Sequence, residues 1–323
     1  ITGVGVEYYL GSPDAGMPGL TGLEFLVYST FGGVLVNIVL VFSLRWYRLA
    51  SNQPTKILGV TVPSELFYIV PSGFCTAVVI PTTTLMYTLP ISVMVAMTIM
   101  RGSVIVISRI VDGIQIRQGI LKKRVAPEEN IAVVFALLAV GTNVVGTAEG
   151  GFDFVGNAAA MAILGSYIAA YALRIYLMNY FKNTRKAGQK QDNKGFFAIE
   201  QLSASAALVI AIVFVYLAPS LWGSTSDIVV ELKGAIDAPK PSWFSAVVLG
   251  GFPYGLVAIF SVFIFMFKGR TATFAGLVNR LTSLVAGTTA TLIFALWMGN
   301  ALPSGRDWAA LALIFVAVWF LRR

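Results

Sequence analysis

Two arginines stand inside long apolar stretches of this 323-residue sequence. Arg101 lies within Leu89–Ile114, and Arg280 lies within Thr271–Asn300. An arginine at the centre of a bilayer costs about 2.5–3.5 kcal/mol on insertion scales, so it is retained where protein or a polar ligand offsets that cost. The guanidinium is a planar fork of donors that suits carboxylate and phosphate groups. The pair therefore indicates a cationic site for a small anion within the membrane.

Each arginine belongs to a stripe of polar or small residues at helical spacing on an otherwise apolar helix. The first stripe contains Met94, Thr98, Arg101, Ser108 and Asp112, and the second contains Thr273, Gly276, Arg280, Gly287 and Thr291. Such stripes are expected to face protein or water and not lipid. The candidate substrate-binding residues are Arg101, Arg280, Thr98, Ser108, Thr273 and Thr291. The alternative is that each arginine is tied internally, to Glu24, Glu200 or the carbonyl groups of a helix C-terminus.

Three carboxylates are candidates for proton coupling or for balancing the arginine charges. Glu24 and Glu200 lie near predicted helix starts, where a negative charge suits the helix dipole. Asp112 follows Arg109 by three residues, a spacing that allows an ion pair on one helix face, although Arg109 can also snorkel to the interface.

The composition is that of a membrane protein with many spans. Hydrophobic residues make up 57% of the chain and charged residues only 12%, and several uncharged runs exceed the roughly 18 residues that mark a transmembrane helix. The formal charge of +8 is explained by basic loops on one side of the bilayer, not by nucleic-acid binding. There is no histidine, and Cys75 is the only cysteine, so we predict no metal site, no cofactor and no enzyme activity.

Nine hydrophobic runs are long enough to be spans, and Ile1–Leu10 resembles the end of a tenth that is mostly missing. The nine runs are Leu23–Leu44, Pro63–Tyr87, Leu89–Ile114, Asn130–Gly146, Val155–Phe181, Phe196–Ala218, Trp243–Phe267, Thr271–Met298 and Asp307–Leu321. Alternate loops are basic, including the segment 182–194, which predicts a cytoplasmic loop there and a cytoplasmic C-terminus.

The two halves of the sequence echo each other in order. Leu23–Ser29 resembles Ile199–Ser205, and Gly73–Phe74 recurs as Gly251–Phe252. Arg101 and Arg280 follow these glycines at nearly equal distances. With the missing helix restored, each repeat holds five helices, and an odd number inverts the second repeat in the membrane. Inverted repeats are typical of secondary transporters with a substrate site near the midplane.

The run PSGFCTAVVIPTTTLMYTLPISVMVAMTIMRGSVIVISRI resembles the third and fourth helices of the drug/metabolite transporter superfamily. The stretch Met100–Ile105 is most similar to the nucleotide-sugar-transporter-like branch, solute carrier family 35. The run VNRLTSLVAGTTATLIFALWMG, followed by Asp307-Trp308, is similar to the ninth and tenth helices of that family. The resemblance implies an all-α membrane protein of about ten helices in two inverted EamA-like repeats, residues 1–147 and 148–323. It also implies a central cavity lined by helices four and nine.

These observations predict a secondary transporter that moves a small anionic metabolite by alternating access through a midplane cavity. A nucleotide sugar, an organic phosphate or an organic acid would suit the arginines. The alternative is a transporter-derived membrane subunit that no longer transports and has a structural or assembly role, because a fold does not by itself determine function. The expected partners are the lipid bilayer and the small anion, and either a homodimer or a larger membrane complex is compatible with the sequence.

Overall fold

The computed structural model describes residues 2–50, 54–57, 59–122, 126–149, 152–184, 191–267, 271–297 and 302–321. Within these residues the chain forms eleven α-helices and one small β-hairpin. The helices are α1 (Thr2–Leu10), α2 (Gly22–Ser43), α3 (Leu66–Tyr87), α4 (Val93–Arg117), α5 (Pro127–Glu149), α6 (Ala158–Asn183), α7 (Asn193–Trp222), α8 (Asp227–Asp237), α9 (Pro241–Phe265), α10 (Ala272–Trp297) and α11 (Gly305–Leu321). The hairpin consists of β1 (Pro54–Ile57) and β2 (Val60–Pro63).

Seven of the described helices, α2 to α7 and α9, are long and apolar enough to cross a membrane. The other two predicted spans correspond to α10, of 26 residues, and α11, of 17 residues. Many large apolar side chains on these helices point outward, among them Phe31, Phe214 and Phe260, which suits a lipid-facing surface. The protein is therefore an all-α, multi-pass membrane protein.

Local sequence signals explain several helix boundaries. Thr21 and Glu24 form a capping box at the start of α2, in which each side chain accepts a hydrogen bond from the other residue's backbone N–H. The Ser92 hydroxyl accepts from Val95 N at the start of α4, and Asp192 accepts from Gly195 N at the start of α7. These side chains satisfy N–H groups that have no partner within the helix.

The chain divides into two compact units. The first unit comprises Ile1–Thr88 and Asp192–Phe260, and the second comprises Leu89–Gln191 and Ser261–Arg323. Each unit thus combines segments from both predicted repeats, because neighbouring helices in space come from distant parts of the chain. The predicted division at residue 147 concerns the sequence repeats and stays a prediction.

In the first unit, glycines allow helices to approach closely. A Cβ built on Gly73 of α3 would lie 2.7 Å from the carbonyl oxygen of Glu200 on α7. A Cβ on Gly251 of α9 would overlap the carbonyl oxygen of Ser29 on α2, and one on Gly32 would overlap that of Val248. Contacts between helix backbones at this distance exclude any side chain larger than hydrogen.

In the second unit, α4 is the central helix and packs against α5, α6, α10 and α11. Small residues form the contact between α5 and α11, and the rings of Phe135 and Phe320 stack with centroids 5.8 Å apart. A Cβ on Gly102 of α4 would overlap the Val140 side chain of α5, so that glycine sets the distance between these helices. Most residues of α4 are buried, and the helix presents its polar stripe to its neighbours.

The structure contains elements that the hydrophobic runs do not predict. The hairpin pairs Pro54 with Pro63 and Ile57 with Val60. The short helix α8 buries Val229, Leu232 and Ala235, a spacing that places them on one face. Both elements are too short and too polar to stand out among membrane spans.

Lys182 lies in a helix, although the sequence predicts a basic loop over segment 182–194. It lies in the last turn of α6 and is only 4% exposed. Its Nζ donates to the carbonyl oxygen of Phe265, 3.1 Å away. A cation there satisfies a carbonyl at the end of α9, where the helix dipole is negative.

Candidate functional site: the buried polar face of helix α4

The polar stripe predicted for the first arginine-bearing helix is buried in the second unit. Thr98, Ser108 and Asp112 are fully buried, and Arg101 is 7% exposed. The stripe therefore faces protein, as its polarity predicts for a helix in a membrane.

Helix α10 lies antiparallel to α4 along this stripe. A Cβ on Gly276 would lie 2.8 Å from Ser108 Oγ, and one on Gly287 would overlap the sulfur of Met97. Thr273 contacts Asp112 at the end of the same seam. As residue numbers increase along α10, the residues that they contact on α4 decrease in number, so the two helices are antiparallel. The small residues predicted for the second stripe are thus the ones that let the two helices meet.

This register brings the two arginine positions to similar levels. Arg101 lies level with Ser283, so positions 101 and 280 differ by about three residues, or ~4.5 Å along the helix axis. The backbone of Arg280 is helical, whereas its side chain lies outside the described residues.

Arg101 has an aromatic hydroxyl as one partner. Its Nη1 donates to Tyr167 Oη of α6, 3.0 Å away. The ring of Tyr167 in turn lies 4.8 Å from that of Tyr171, centroid to centroid. Sequence reasoning did not include Tyr167, because a tyrosine in an apolar helix carries no signal of its partner. The contact orients the guanidinium and leaves its remaining N–H groups to other partners.

The Asp112 carboxylate binds the N-terminus of α10. It accepts from Ala272 N at 2.9 Å, from Thr273 N at 2.8 Å and from the Thr273 hydroxyl at 2.7 Å. Asn179 Nδ2 adds a longer contact of 3.4 Å. Asp112 therefore acts as a helix cap supplied by a different helix, and its charge suits the positive end of the dipole.

The predicted link between Arg109 and Asp112 is wrong. Arg109 Nε instead donates to Asn130 Oδ1 of α5, 2.7 Å away. The acceptors of Asp112 are taken up by α10 and Asn179, and Lys182 is the cation that attracts this carboxylate. The two residues serve different neighbours, and spacing along one helix could not reveal that.

The hydroxyl groups in the candidate set differ in what they can still bind. Thr98 donates to Met94 O and Ser108 donates to Val104 O, both within α4. Thr273 donates to Asp112. In this conformation these three hydroxyls already donate within the protein and offer no hydrogen bond to an anion. The fourth hydroxyl, on Thr291, is buried and has no hydrogen-bond partner within the described residues.

The other two carboxylate candidates lie in the first unit. Glu24 caps α2 and forms an ion pair with Lys240, with 2.8 Å between Oε2 and Nζ. Glu200 is fully buried and accepts from the Ser72 hydroxyl at 2.5 Å. Glu200 lies two turns inside α7, which begins at Asn193, so its expected position at a helix start is wrong. The true N-cap of that helix is Asp192.

Near Glu200, Asn37 and Gln201 form a buried amide pair. Asn37 Nδ2 donates to Gln201 Oε1 at 2.9 Å. Asn37 Oδ1 and Gln201 Nε2 have no hydrogen-bond partner within the described residues. The first unit thus has a polar interior contributed by α2, α3 and α7.

We expect Ser72→Ala to lower the free energy of unfolding by about 1–3 kcal/mol, the cost when a buried polar group loses a hydrogen-bond partner. Denaturant unfolding of the purified protein in micelles would measure the loss. Ser103→Ala is the matched control, because that hydroxyl bonds only within its own helix, to Ile99 O. Equal losses in the two variants would contradict a special role for Ser72.

The described residues contain no group of three or more histidine, cysteine, aspartate or glutamate side chains that could hold a metal ion. Among the polar groups of α4, Asp112 binds the N-terminus of α10 and Arg101 binds the hydroxyl group of Tyr167.

Comparisons with known proteins add little to this geometry. No protein-family model matches the chain, and no curated protein matches it either. A solved crystal structure aligns with 99% of this chain and 95% of its own, with 16% sequence identity and a TM-score of 0.44. A similarity this weak carries no argument about fold or function. The chain is thus identified by its own features, as an α-helical, multi-pass membrane protein with a buried polar helix.

Proposed function

We propose that the protein is a secondary transporter that moves a small anionic metabolite by alternating access. Arg101 and Arg280 would bind the anion near the membrane midplane. Suitable substrates are nucleotide sugars, organic phosphates and organic acids, whose phosphate or carboxylate groups match the guanidinium fork.

The observation that carries the proposal is the antiparallel packing of α4 against α10. This packing supports a shared site, because the two arginine positions differ by only about 4.5 Å along the helix axes. The hydroxyl groups of Thr98, Ser108 and Thr273 already donate hydrogen bonds to other protein atoms. The guanidinium groups would therefore supply the positive charge and the donors that an anion needs.

Helix packing in the first unit also supports the ten-helix inverted repeat as part of the proposal. Gly73 brings α3 against α7, and Gly251 brings α9 against α2. These are the two glycines that match between the halves of the sequence. The sequence repeat matches α2 with α7 and α3 with α9, so the contact of α3 with α7 is the counterpart of the contact of α9 with α2. An inverted pair of five-helix repeats is the arrangement in which transporters place a midplane site.

The alternative is a membrane subunit without transport activity, with a structural or assembly role. The hydrogen bond from Arg101 to Tyr167 favours it, because an arginine bonded within the protein can serve packing alone. The network around Asp112 is likewise wholly internal. In such a subunit the buried polar face would stabilise the helices and bind no metabolite.

In proteoliposomes, we expect uptake of at least one member of a panel of nucleotide sugars, sugar phosphates and organic acids. Arg101→Ala should reduce that uptake by about 10- to 100-fold, the equivalent of one hydrogen bond to a charged group. Arg101→Lys should restore only part of it, since lysine keeps the charge but loses the planar fork. Radiolabelled or mass-detected substrate inside the vesicles is the measurement.

Two controls separate binding from folding in this assay. Arg48→Ala removes an exposed arginine near the end of α2 and should leave uptake unchanged. Tyr167→Phe removes the internal partner of Arg101 but keeps the ring, and it should alter uptake less than Arg101→Ala does. Folded protein that moves nothing in the panel would favour the subunit alternative.

A further inference from the structure

A shallow pocket lies on the outer side of α4, near its C-terminal end. Its volume is about 560 Å³. The pocket combines two arginines, an asparagine and an apolar wall, and its lining residues are Arg109, Ile110, Gly113, Ile114, Ile116, Arg117 and Asn130. It lies wholly within the second unit and apart from the buried stripe that holds Arg101 and Asp112.

Arg109 is held in a fixed orientation in this pocket. Its Nε donates to Asn130 Oδ1 at 2.7 Å. A Cβ built on Gly113 would lie 3.5 Å from Arg109 Nη1, so the guanidinium lies one turn toward the helix C-terminus. Long side chains on a helix usually point the other way, toward the N-terminus. The hydrogen bond to Asn130 thus helps to hold the guanidinium toward the C-terminal end of α4.

Apolar residues lie beside the charged ones. Ile110 is 55% exposed and Ile114 is 42% exposed. Both belong to a helix that is long and apolar enough to span a membrane. In a bilayer these side chains contact acyl chains. Arg117 is exposed in the last turn of the same helix. The pocket thus places two cations beside an exposed apolar wall, on a helix that is long and apolar enough to span a membrane.

We propose that this pocket binds an anionic phospholipid. Arg109 and Arg117 would contact the headgroup phosphate, while an acyl chain lies along Ile110 and Ile114. Basic pockets beside membrane helices are known to hold acidic lipid headgroups on the cytoplasmic side. The loop charges predict that this end of α4 is cytoplasmic, the side that carries the anionic lipid. The proposal does not depend on transport activity.

Native mass spectrometry of the purified protein with phosphatidylserine and phosphatidylcholine tests the proposal. We expect about tenfold preferential retention of phosphatidylserine, given that each arginine near the surface contributes to attraction of anionic lipid. The double variant Arg109→Ala with Arg117→Ala should abolish that preference. The matched control, Arg48→Ala with Lys56→Ala, removes two cations of the same predicted side outside the pocket and should retain it.

Three further measurements distinguish a lipid seated in the pocket from a free phosphate bound by the arginines alone. Gly113→Leu fills the pocket without changing charge and should also abolish the preference, whereas Arg117→Ala alone alters only an exposed side chain and should weaken it. Inorganic phosphate at millimolar concentration should not displace phosphatidylserine, because it lacks an acyl chain. Retention of the preference in the double variant, an equal loss in the control variant, or full displacement by phosphate would each overturn the proposal.

Discussion

Gly251→Val is expected to lower the free energy of unfolding by about 3 kcal/mol, the upper part of the usual range for overpacking. A Cβ at this position overlaps the carbonyl oxygen of Ser29 and would lie 3.0 Å from Gly33 N. Both atoms belong to the backbone of α2, which cannot move aside as a flexible side chain can. The two helices would therefore have to separate along their whole contact.

The adjacent residue provides the control. A Cβ on Gly250 meets nothing within 4 Å, so Gly250→Val should change stability little, and valine is slightly favoured over glycine in a helix. Unfolding of both variants in mixed micelles, followed by tryptophan fluorescence, would measure the difference. Similar losses in the two variants would show that α2 and α9 do not pack through Gly251.

Asp112→Ala is expected to cost about 3–5 kcal/mol of unfolding free energy. The substitution removes the acceptor of three buried donors, which are the backbone N–H groups of Ala272 and Thr273 and the Thr273 hydroxyl. Each buried donor left without an acceptor lowers the free energy of unfolding by about 1–3 kcal/mol. Water cannot replace the carboxylate readily, because Asp112 is fully buried. The first turn of α10 should fray, which amide hydrogen exchange at that helix start would detect.

Two comparison variants make this prediction specific. Asp112→Asn keeps one oxygen acceptor and should lose less than Asp112→Ala does. Asp307→Ala removes a carboxylate that accepts from Ser304 N at the start of α11, at an exposed site, and should cost about 1 kcal/mol, as surface caps do. If Asp112→Ala cost no more than Asp307→Ala, the buried cap would have no particular role in holding α4 to α10.

Much of the architecture could be predicted from the sequence, because the signals involved are local. A helix such as α4 must satisfy its backbone groups within itself when it crosses lipid, so its apolar run alone predicts it. The Thr21–Glu24 cap likewise involves residues three apart. The polar stripe of α4 was predicted from helical spacing, and its burial follows from the cost of polar groups in lipid.

Partners across helices could not be predicted in this way. Arg101 meets Tyr167, Asp112 caps α10 instead of pairing with Arg109, and Lys182 binds the end of α9. Each contact joins residues far apart in the chain, and neither residue carries a local signal of the other. The hairpin and α8 were missed for a related reason, since short elements are stabilised mainly by what they pack against.

The sequence by itself determined where the helices lie and that the protein is a membrane protein. It also showed which polar and charged side chains would be energetically unfavourable if they faced lipid. Those properties depend on periodicity and on transfer from water, which act on each segment alone. Only the tertiary structure decided that α4 and α10 run side by side, and that Asp112 stabilises a helix end while Arg101 and Arg280 lie at similar levels. These outcomes depend on close contacts between helices, at Gly276 and Gly287 among others, and such contacts exist only once the chain has folded.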